Sequence, residues 1–230
     1  MNKKVVYTSV FGNYDDVVKP KLPKGWDWKF FSEENSLPIY EDNMRNAKRY
    51  KILPHRFLKE YEISIYIDGN YIIKRDVNEL VDRYLNDVNA VFHNHNSQPA
   101  YDKRNCIYDE AKTILMFGEK NMKITPERGM KNYKDNPEII VNQMKRYTND
   151  NYPEQNGLIT GGVILRRHNE KDCIKVMEDW WKEIRYGSKR DQLSFNYCAW
   201  KNDLKFNYMD GDSRDNKYFY RDTNPHIGKK

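Results

Sequence analysis

Ile63-Ser64-Ile65-Tyr66-Ile67 runs with one small polar break into Asp68-Gly69-Asn70. Five residues with apolar side chains on both alternating faces, ended by a turn triplet, predict a central strand covered on both sides of its sheet. Such strands belong to α/β sheets, whose ligands bind beyond the C-terminal strand ends. Asp68 and Asn70 stand at that end.

The neighbouring segments extend the pattern. Upstream, Lys4 to Phe11 is β-branched and aromatic and stops at Gly12-Asn13, followed by Tyr14-Asp15-Asp16, which predicts a first strand and a ligand-facing loop. Trp26 to Phe31 reads as a second strand, and Asp42 to Glu60 as a basic helix kinked or divided at Pro54. Downstream, Val77 to Leu85 predicts a helix and Ala90-Val91-Phe92 a strand entering His93-Asn94-His95. Ile107 to Phe117 predicts a further helix. Residues 118–155 are polar and rich in Asn, Lys and Pro, with one helix at Pro137 to Tyr147, and read as a variable insertion or lid. Leu158 to Leu165 is a strand holding Gly161-Gly162, where a ligand or a second backbone can approach closely. Cys173 to Ile184 is amphipathic, Asp191 to Ala199 is the last predicted helix, and from Asn202 on the chain reads as a polar aromatic tail. Helices alternate with strands, so the fold class is α/β with a mixed, mostly parallel sheet flanked by helices. No linker or repeat divides residues 1–230, which read as a single domain.

Composition excludes several classes. Apolar residues make up 38% and charged residues 32%, yet 18 Tyr, 9 Phe and 5 Trp argue for a packed core over disorder. A chain of 230 residues can bury about three quarters of its unfolded surface. No run reaches the roughly 18 apolar residues of a membrane helix, so an integral membrane protein is not expected, and without a signal peptide the expected compartment is the cytoplasm. Cys106, Cys173 and Cys198 have spacings that suit neither a zinc ribbon nor a disulfide framework and read as buried free thiols. Abundant Asn, Lys, Ile and Tyr point to an AT-rich genome, viral or bacterial. The net charge of +6 favours an anionic ligand or acceptor.

Several groups carry candidate chemistry, each with a plainer reading beside it. Asp68-x-Asn70 offers oxygen ligands to a hard cation, Mn2+ or Mg2+, and is equally a turn sequence. His226 offers an imidazole to the same ion, and Lys229 and Lys230 offer charge to a diphosphate, from what is otherwise a frayed terminus. Arg190-Asp191-Gln192 opens a helix with a carboxylate that serves as a general base or as an N-cap. His93 and His95 at a strand end, followed by Arg104, suit a metal, substrate hydroxyls or a surface loop.

In aggregate the blocks Thr8 to Asp15, Arg45-x-x-Lys48-Arg49-Tyr50-Lys51, Ile65 to Asn70, Gly157 to Val163 and Arg190 to Phe195 resemble GT-A type glycosyltransferases. More narrowly, they resemble a poorly characterised glycosyltransferase-like family of plants, bacteria and viruses. The resemblance implies a GT-A-like (Rossmann-like) domain that transfers a sugar from a nucleotide-sugar donor, UDP-linked, to an acceptor hydroxyl on a glycan, a glycoconjugate or a hydroxylated DNA base. It implies that Phe11, Gly12, Tyr14 and Asp15 hold the base and ribose. Arg45, Lys48 and Lys229 lie near the diphosphate, and Gly69 and Gln192 line the donor site. Asp68 and Asn70 take the place of an Asp-x-Asp metal motif, with His226 as a third ligand. Asn70 is a neutral ligand, so the motif is weakened. Asp191, with Arg190, takes the catalytic position, as the base if transfer inverts configuration and as a donor-orienting group if it retains. His93, His95, Arg104, Gly161 and Gly162 fall on the acceptor side. Two rival readings stand beside this one: a nucleic-acid-binding module that stacks bases on its aromatics, and a hydrolase on a related scaffold.

Overall fold

The computed structural model describes residues 3–12, 15–99 and 102–222. Eight strands are present among them: β1 (Lys4–Ser9), β2 (Trp26–Phe31), β3 (Ile63–Ile67), β4 (Tyr71–Ile73), β5 (Ala90–Asn94), β6 (Ile159–Arg166), β7 (Asn207–Met209) and β8 (Phe219–Arg221). The helices are α1 (Asn43–Ile52), α2 (Pro54–Phe57), α3 (Asn78–Tyr84), α4 (Ile107–Ile124), α5 (Pro137–Asn149), α6 (Lys171–Tyr186) and α7 (Phe195–Lys201). Six strands form one sheet in the order β2-β1-β3-β6-β5-β7, and β4 and β8 pair antiparallel apart from it. Within the sheet β6 alone opposes its neighbours β3 and β5, whereas β1 is parallel to β2 and β3, and β5 to β7. The expected α/β class, a mixed and mostly parallel sheet with flanking helices, is what the chain forms.

Side chains alternate between two cores, as the twofold strand period requires. Tyr7, Tyr66, Phe92 and Ile164 pack on one face with Trp180 and Ile184 of α6 and Phe195 of α7. Val6, Ile65, Val91 and Leu165 pack on the other with Leu80 and Val81 of α3. This two-sided burial explains why β3 reads as an almost unbroken apolar run. The three cysteines are free and buried, as expected. No described helix is long and apolar enough to cross a membrane.

Burial also places a charge in the core. Arg166 at the end of β6 is fully buried and donates to the carbonyls of Lys51 (2.7 Å) and Ile52 (3.5 Å) and to the Tyr7 phenol, which itself donates to Lys51 O (2.9 Å). A helix ends with unpaired carbonyls and a partial negative charge, so a guanidinium there satisfies both and holds the last turn of α1 against the sheet.

Pro54 divides the predicted helix after Ile52 into α1 and α2, one of the two expected outcomes, because proline has no N–H for the helical ladder. Three other local expectations change. α4 continues past Gly118 to Ile124; a Cβ at Gly118 would lie 2.0 Å from the Tyr133 ring, so the glycine there admits an aromatic side chain and does not end the helix. Asp191 to Leu193 is a single tight helical turn, broken at Ser194 before α7 begins. The tail expected from Asn202 contains β7 and β8, three-residue strands too short to show a period.

Candidate active site

The sheet order brings chain-distant loops to one edge. The β1–β2 connection runs to one side of β1 and the β2–β3 connection crosses back to its other side, which opens a crevice at the C-terminal strand ends. A cavity of about 730 Å³ fills it. Its lining follows the strands: Phe11 and Asp15 after β1, Asp68 to Asn70 after β3, Thr160 to Gly162 at the start of antiparallel β6, and His95 and Gln98 after β5. The volume lies within the range of small-molecule sites.

At the cavity floor, Asp191 Oδ2 accepts from two lysines, Lys51 Nζ at 2.8 Å and Lys48 Nζ at 3.0 Å. Both lysines come from α1, three residues apart and so on one helix face. Lys51 Nζ also lies 3.2 Å from Asp68 Oδ1 and 4.9 Å from the Tyr66 ring centre, bridging the two carboxylates. Asp191 is 6% exposed, and its backbone is pinned: its carbonyl accepts from the buried Trp180 indole at 3.0 Å. Burial alone would raise its carboxyl, but the charges of Lys48, Lys51 and Arg190 outweigh burial and hold it far below the usual carboxylate range. Burial pulls Lys48 down to about 8 despite Asp191. Lys51, equally buried but with two carboxylates, is held above the ordinary lysine value, so it is the more firmly charged of the pair.

Two glycines keep this floor open. A Cβ at Gly161 would sit 3.0 Å from Asp191 Oδ2 and 3.2 Å from Lys51 Nζ, and one at Gly69 would sit 2.7 Å from Val10 Cγ2 and 2.8 Å from Asp15 Cβ. Gly161 is expected to admit a ligand or a second backbone; the groups that approach it are the side chains of Asp191 and Lys51. Gly162 makes room for the Tyr71 hydroxyl.

Toward α4, Arg104 Nε donates to Glu110 Oε2 (2.7 Å), and its Nη2 reaches both Asp102 Oδ1 (3.0 Å) and His95 Nε2 (3.1 Å). Arginine only donates, so His95 Nε2 accepts and its proton resides on Nδ1. Burial, opposed by Glu110, lowers the His95 pKa and favours that neutral ring.

Of the residues singled out in the sequence, Phe11, Asp15, Lys48, Asp68, Gly69, Asn70, His95, Arg104, Gly161, Gly162, Arg190, Asp191 and Gln192 all line this cavity. Three do not. Arg45 turns away, pairing with Asp42 at 2.8 Å and donating to the carbonyls of Ile184 and Gly187, because the helical period puts it on the α6 side of α1. His93 is buried within β5, 3.1 Å from Asn216 Nδ2, and burial drives it down to about 4, so it is a neutral core residue. Gly12 lies outside the lining in a turn at φ 76°, its N–H on Glu33 Oε1. Tyr14, His226 and Lys229 lie outside the described residues. The sequence reading did not single out Lys51 as a site residue, although its spacing from Lys48 places both on one helix face. Arg221 and Ser213 also line the cavity, and both belong to the segment expected to be a tail.

For a divalent cation, the described residues contain no group of three His, Cys, Asp or Glu side chains. Asp68 and Asn70 supply two oxygen donors facing the cavity, and the Asp68 side chain is 40% exposed. That set fits a hard cation that draws its remaining ligands from substrate oxygens and water, the usual manner of Mg2+.

Comparison with known proteins follows the same lines. The probable hexosyltransferase MUCI70 of Arabidopsis thaliana is 28% identical over 179 residues, 76% of this chain. The chain spans 28% of that relative's length. Among solved structures, a glycosyltransferase involved in glycosylation of the major capsid of PBCV-1 aligns over 90% of this chain and 80% of its own, with 8% identity and a TM-score of 0.42. The bifunctional glycosyltransferase WbbM aligns over 90% of this chain and 38% of its own, with 12% identity and a TM-score of 0.43. The family model for the TOD1/MUCI70 glycosyltransferase-like domain matches residues 25–215, a span that contains β2 to β7 and the lysine–aspartate floor, and the chain belongs to that family.

Proposed function

We propose that this chain transfers a hexosyl group from a nucleotide-sugar donor, UDP-linked, to a hydroxyl of a glycan or glycoconjugate. The observation that supports it best is the ionic floor of the cleft, in which Lys51 links Asp191 to Asp68. Breaking the bond between anomeric carbon and phosphate builds positive charge on the sugar and negative charge on the leaving diphosphate. Lys51 and Lys48 lie on the diphosphate side, and Phe11 and Asp15 at the end of β1 flank the base and ribose. Asp68 and Asn70 would hold Mn2+ or Mg2+, which when bound would neutralise charge on the diphosphate.

Asp191 suits the donor-orienting role better than the role of base. A carboxylate held ionised by two ammonium groups has little appetite for a proton, and general-base efficiency falls as the pKa drops below the working pH. Its remaining lone pairs can accept from sugar hydroxyls. The test is a panel of nucleotide sugars in which nucleoside diphosphate release is measured with and without Mn2+, in wild type and in Lys51→Met. Release that requires an acceptor and falls at least about 100-fold in Lys51→Met supports the reading. Tight DNA binding with no release from any donor, or release of free sugar without acceptor, overturns it in favour of a binding module or a hydrolase.

A further inference from the structure

The cavity extends past Asp191 toward α4, and there two of its cations are not hydrogen-bonded to a carboxylate of any described residue. Arg104 is occupied by Asp102 and Glu110, and Arg214 by Asp102 and Asp212. Arg190 and Lys134 line the same wall, yet neither side chain makes a hydrogen bond or ion pair with any described residue. Arg190 Nε is buried without a partner. A buried donor left unsatisfied is costly, and native structures seldom keep one without a reason. Lys134, at the cavity rim, has its pKa lowered by partial burial and then by the Arg190 charge, which together outweigh the opposing pull of Glu110 and Asp102.

We propose that Arg190 and Lys134 form a subsite for an anionic group, a carboxylate or a phosphate, carried by the acceptor or by the transferred sugar. The inference rests on the transferase reading for the identity of the ligand, and on the two cations whose side chains have no hydrogen-bond partner among the described residues for its charge. The sheet order separates the Lys134 end of this subsite from the donor diphosphate, and Arg190, whose charge also acts on Asp191 and Lys48, stands between the two. Asp68 follows β3, Gly161 and Gly162 open β6, and His95 follows β5, so the α4 wall lies two strand spacings, roughly 10 Å, beyond Asp68. A diphosphate held at Asp68 does not span that gap. A sugar ring over Asp191, or the first residue of an acceptor, does. Guanidinium and ammonium groups together recognise carboxylate and phosphate oxygens by charge-assisted hydrogen bonds.

The test is direct binding by calorimetry to the whole chain. The probes are a uronic-acid disaccharide, its neutral hexose counterpart, inorganic phosphate and UDP. The expected result is that wild type prefers the acidic disaccharide over the neutral one by at least about tenfold. Lys134→Gln and Arg190→Gln should each remove about tenfold of that affinity, and Lys134→Gln should leave UDP binding within about twofold. A companion comparison of UDP-glucuronate with UDP-glucose distinguishes the sources. Sensitivity to Lys134→Gln confined to the acidic donor puts the anion on the transferred sugar, and sensitivity confined to the disaccharide puts it on the acceptor. Equal affinity for acidic and neutral probes, or acidic affinity unchanged in Lys134→Gln, overturns the subsite. Lys134 lies at the rim, so its substitution leaves the fold intact and the readout interpretable. Failure of UDP to bind, with the acidic preference intact, would overturn the donor reading and leave the subsite standing.

Discussion

Replacing Asp191 by Asn keeps the shape of the side chain and removes the one charge that Lys48 and Lys51 share. The two ammonium groups, at 3.0 and 2.8 Å from a single oxygen, would remain buried within about 6 Å of each other. Removing one partner of a buried ion pair costs about 3–5 kcal/mol. Two features lower that here. Lys51 keeps Asp68 at 3.2 Å, and Lys48, already drawn down to about 8, can release its proton. Release at pH 7 from a group of that pKa costs about 1.4 kcal/mol. The net loss should be about 2–3 kcal/mol, a fall in Tm of about 5–10 °C for a chain of this size. Its pH dependence has a definite sign. Lys48 has a folded pKa below its unfolded one, so its buried charge costs stability at low pH, and costs more in the variant. As pH rises toward about 8 the lysine becomes neutral in both proteins and the gap between them narrows; Lys51, with a raised pKa, stays charged and leaves a residue. On the acid side, Asp191 has a depressed folded pKa, so its contribution is present above the unfolded carboxylate value and is lost as pH falls toward the folded one, which narrows the gap again. Thermal unfolding of both proteins between about pH 3 and 9 reads this directly. Equal Tm values near neutrality, or a gap that widens above about pH 8, would refute the shared-charge account of the floor.

Further outcomes follow from the same geometry. Asp191→Asn should lower turnover by about 10²-fold or more while UDP affinity stays within a few fold, measured by diphosphate release and calorimetry. Binding of UDP to wild type should weaken as pH rises through about 8, where Lys48 loses its charge; affinity flat up to about pH 9 would remove Lys48 from the donor site. Gly161→Ala places a methyl 3.0 Å from Asp191 Oδ2 and should reduce turnover about tenfold or more with little change in far-UV circular dichroism; wild-type turnover would show that the floor does not need that space. Arg166→Met leaves the last carbonyls of α1 and the Tyr7 phenol without their donor, so unfolding midpoints in urea should report a loss of about 2–4 kcal/mol, and an unchanged midpoint would refute its role as the helix-end anchor.

Much of the scaffold was legible because it depends on local pattern. Ile63 to Ile67 is mostly apolar because it lies between two cores, Trp26 to Phe31 forms the strand its residues predict, and Gly161-Gly162 marks a point of close approach, made by side chains. The site was legible where a residue stands at a strand end, as at Asp68, Asn70 and His95, since strand ends converge whatever the remaining topology. Periodicity failed where an environment distant in sequence sets the outcome. Gly118 reads as a helix stop until Tyr133 is packed against it, and His93 reads as a strand-end ligand until β6 and β7 cover it on both sides. Arg45 and Lys51 are both basic residues of one helix, yet one faces the carbonyls of α6 and the other faces Asp191, about 140 positions away. Charge type and helical period belong to the chain order. Which cation meets which anion, and which cations are left without one, depends on how sheet order and helix rotation juxtapose distant segments, because Coulomb energy and desolvation act over a few ångströms of space and take no account of separation along the chain.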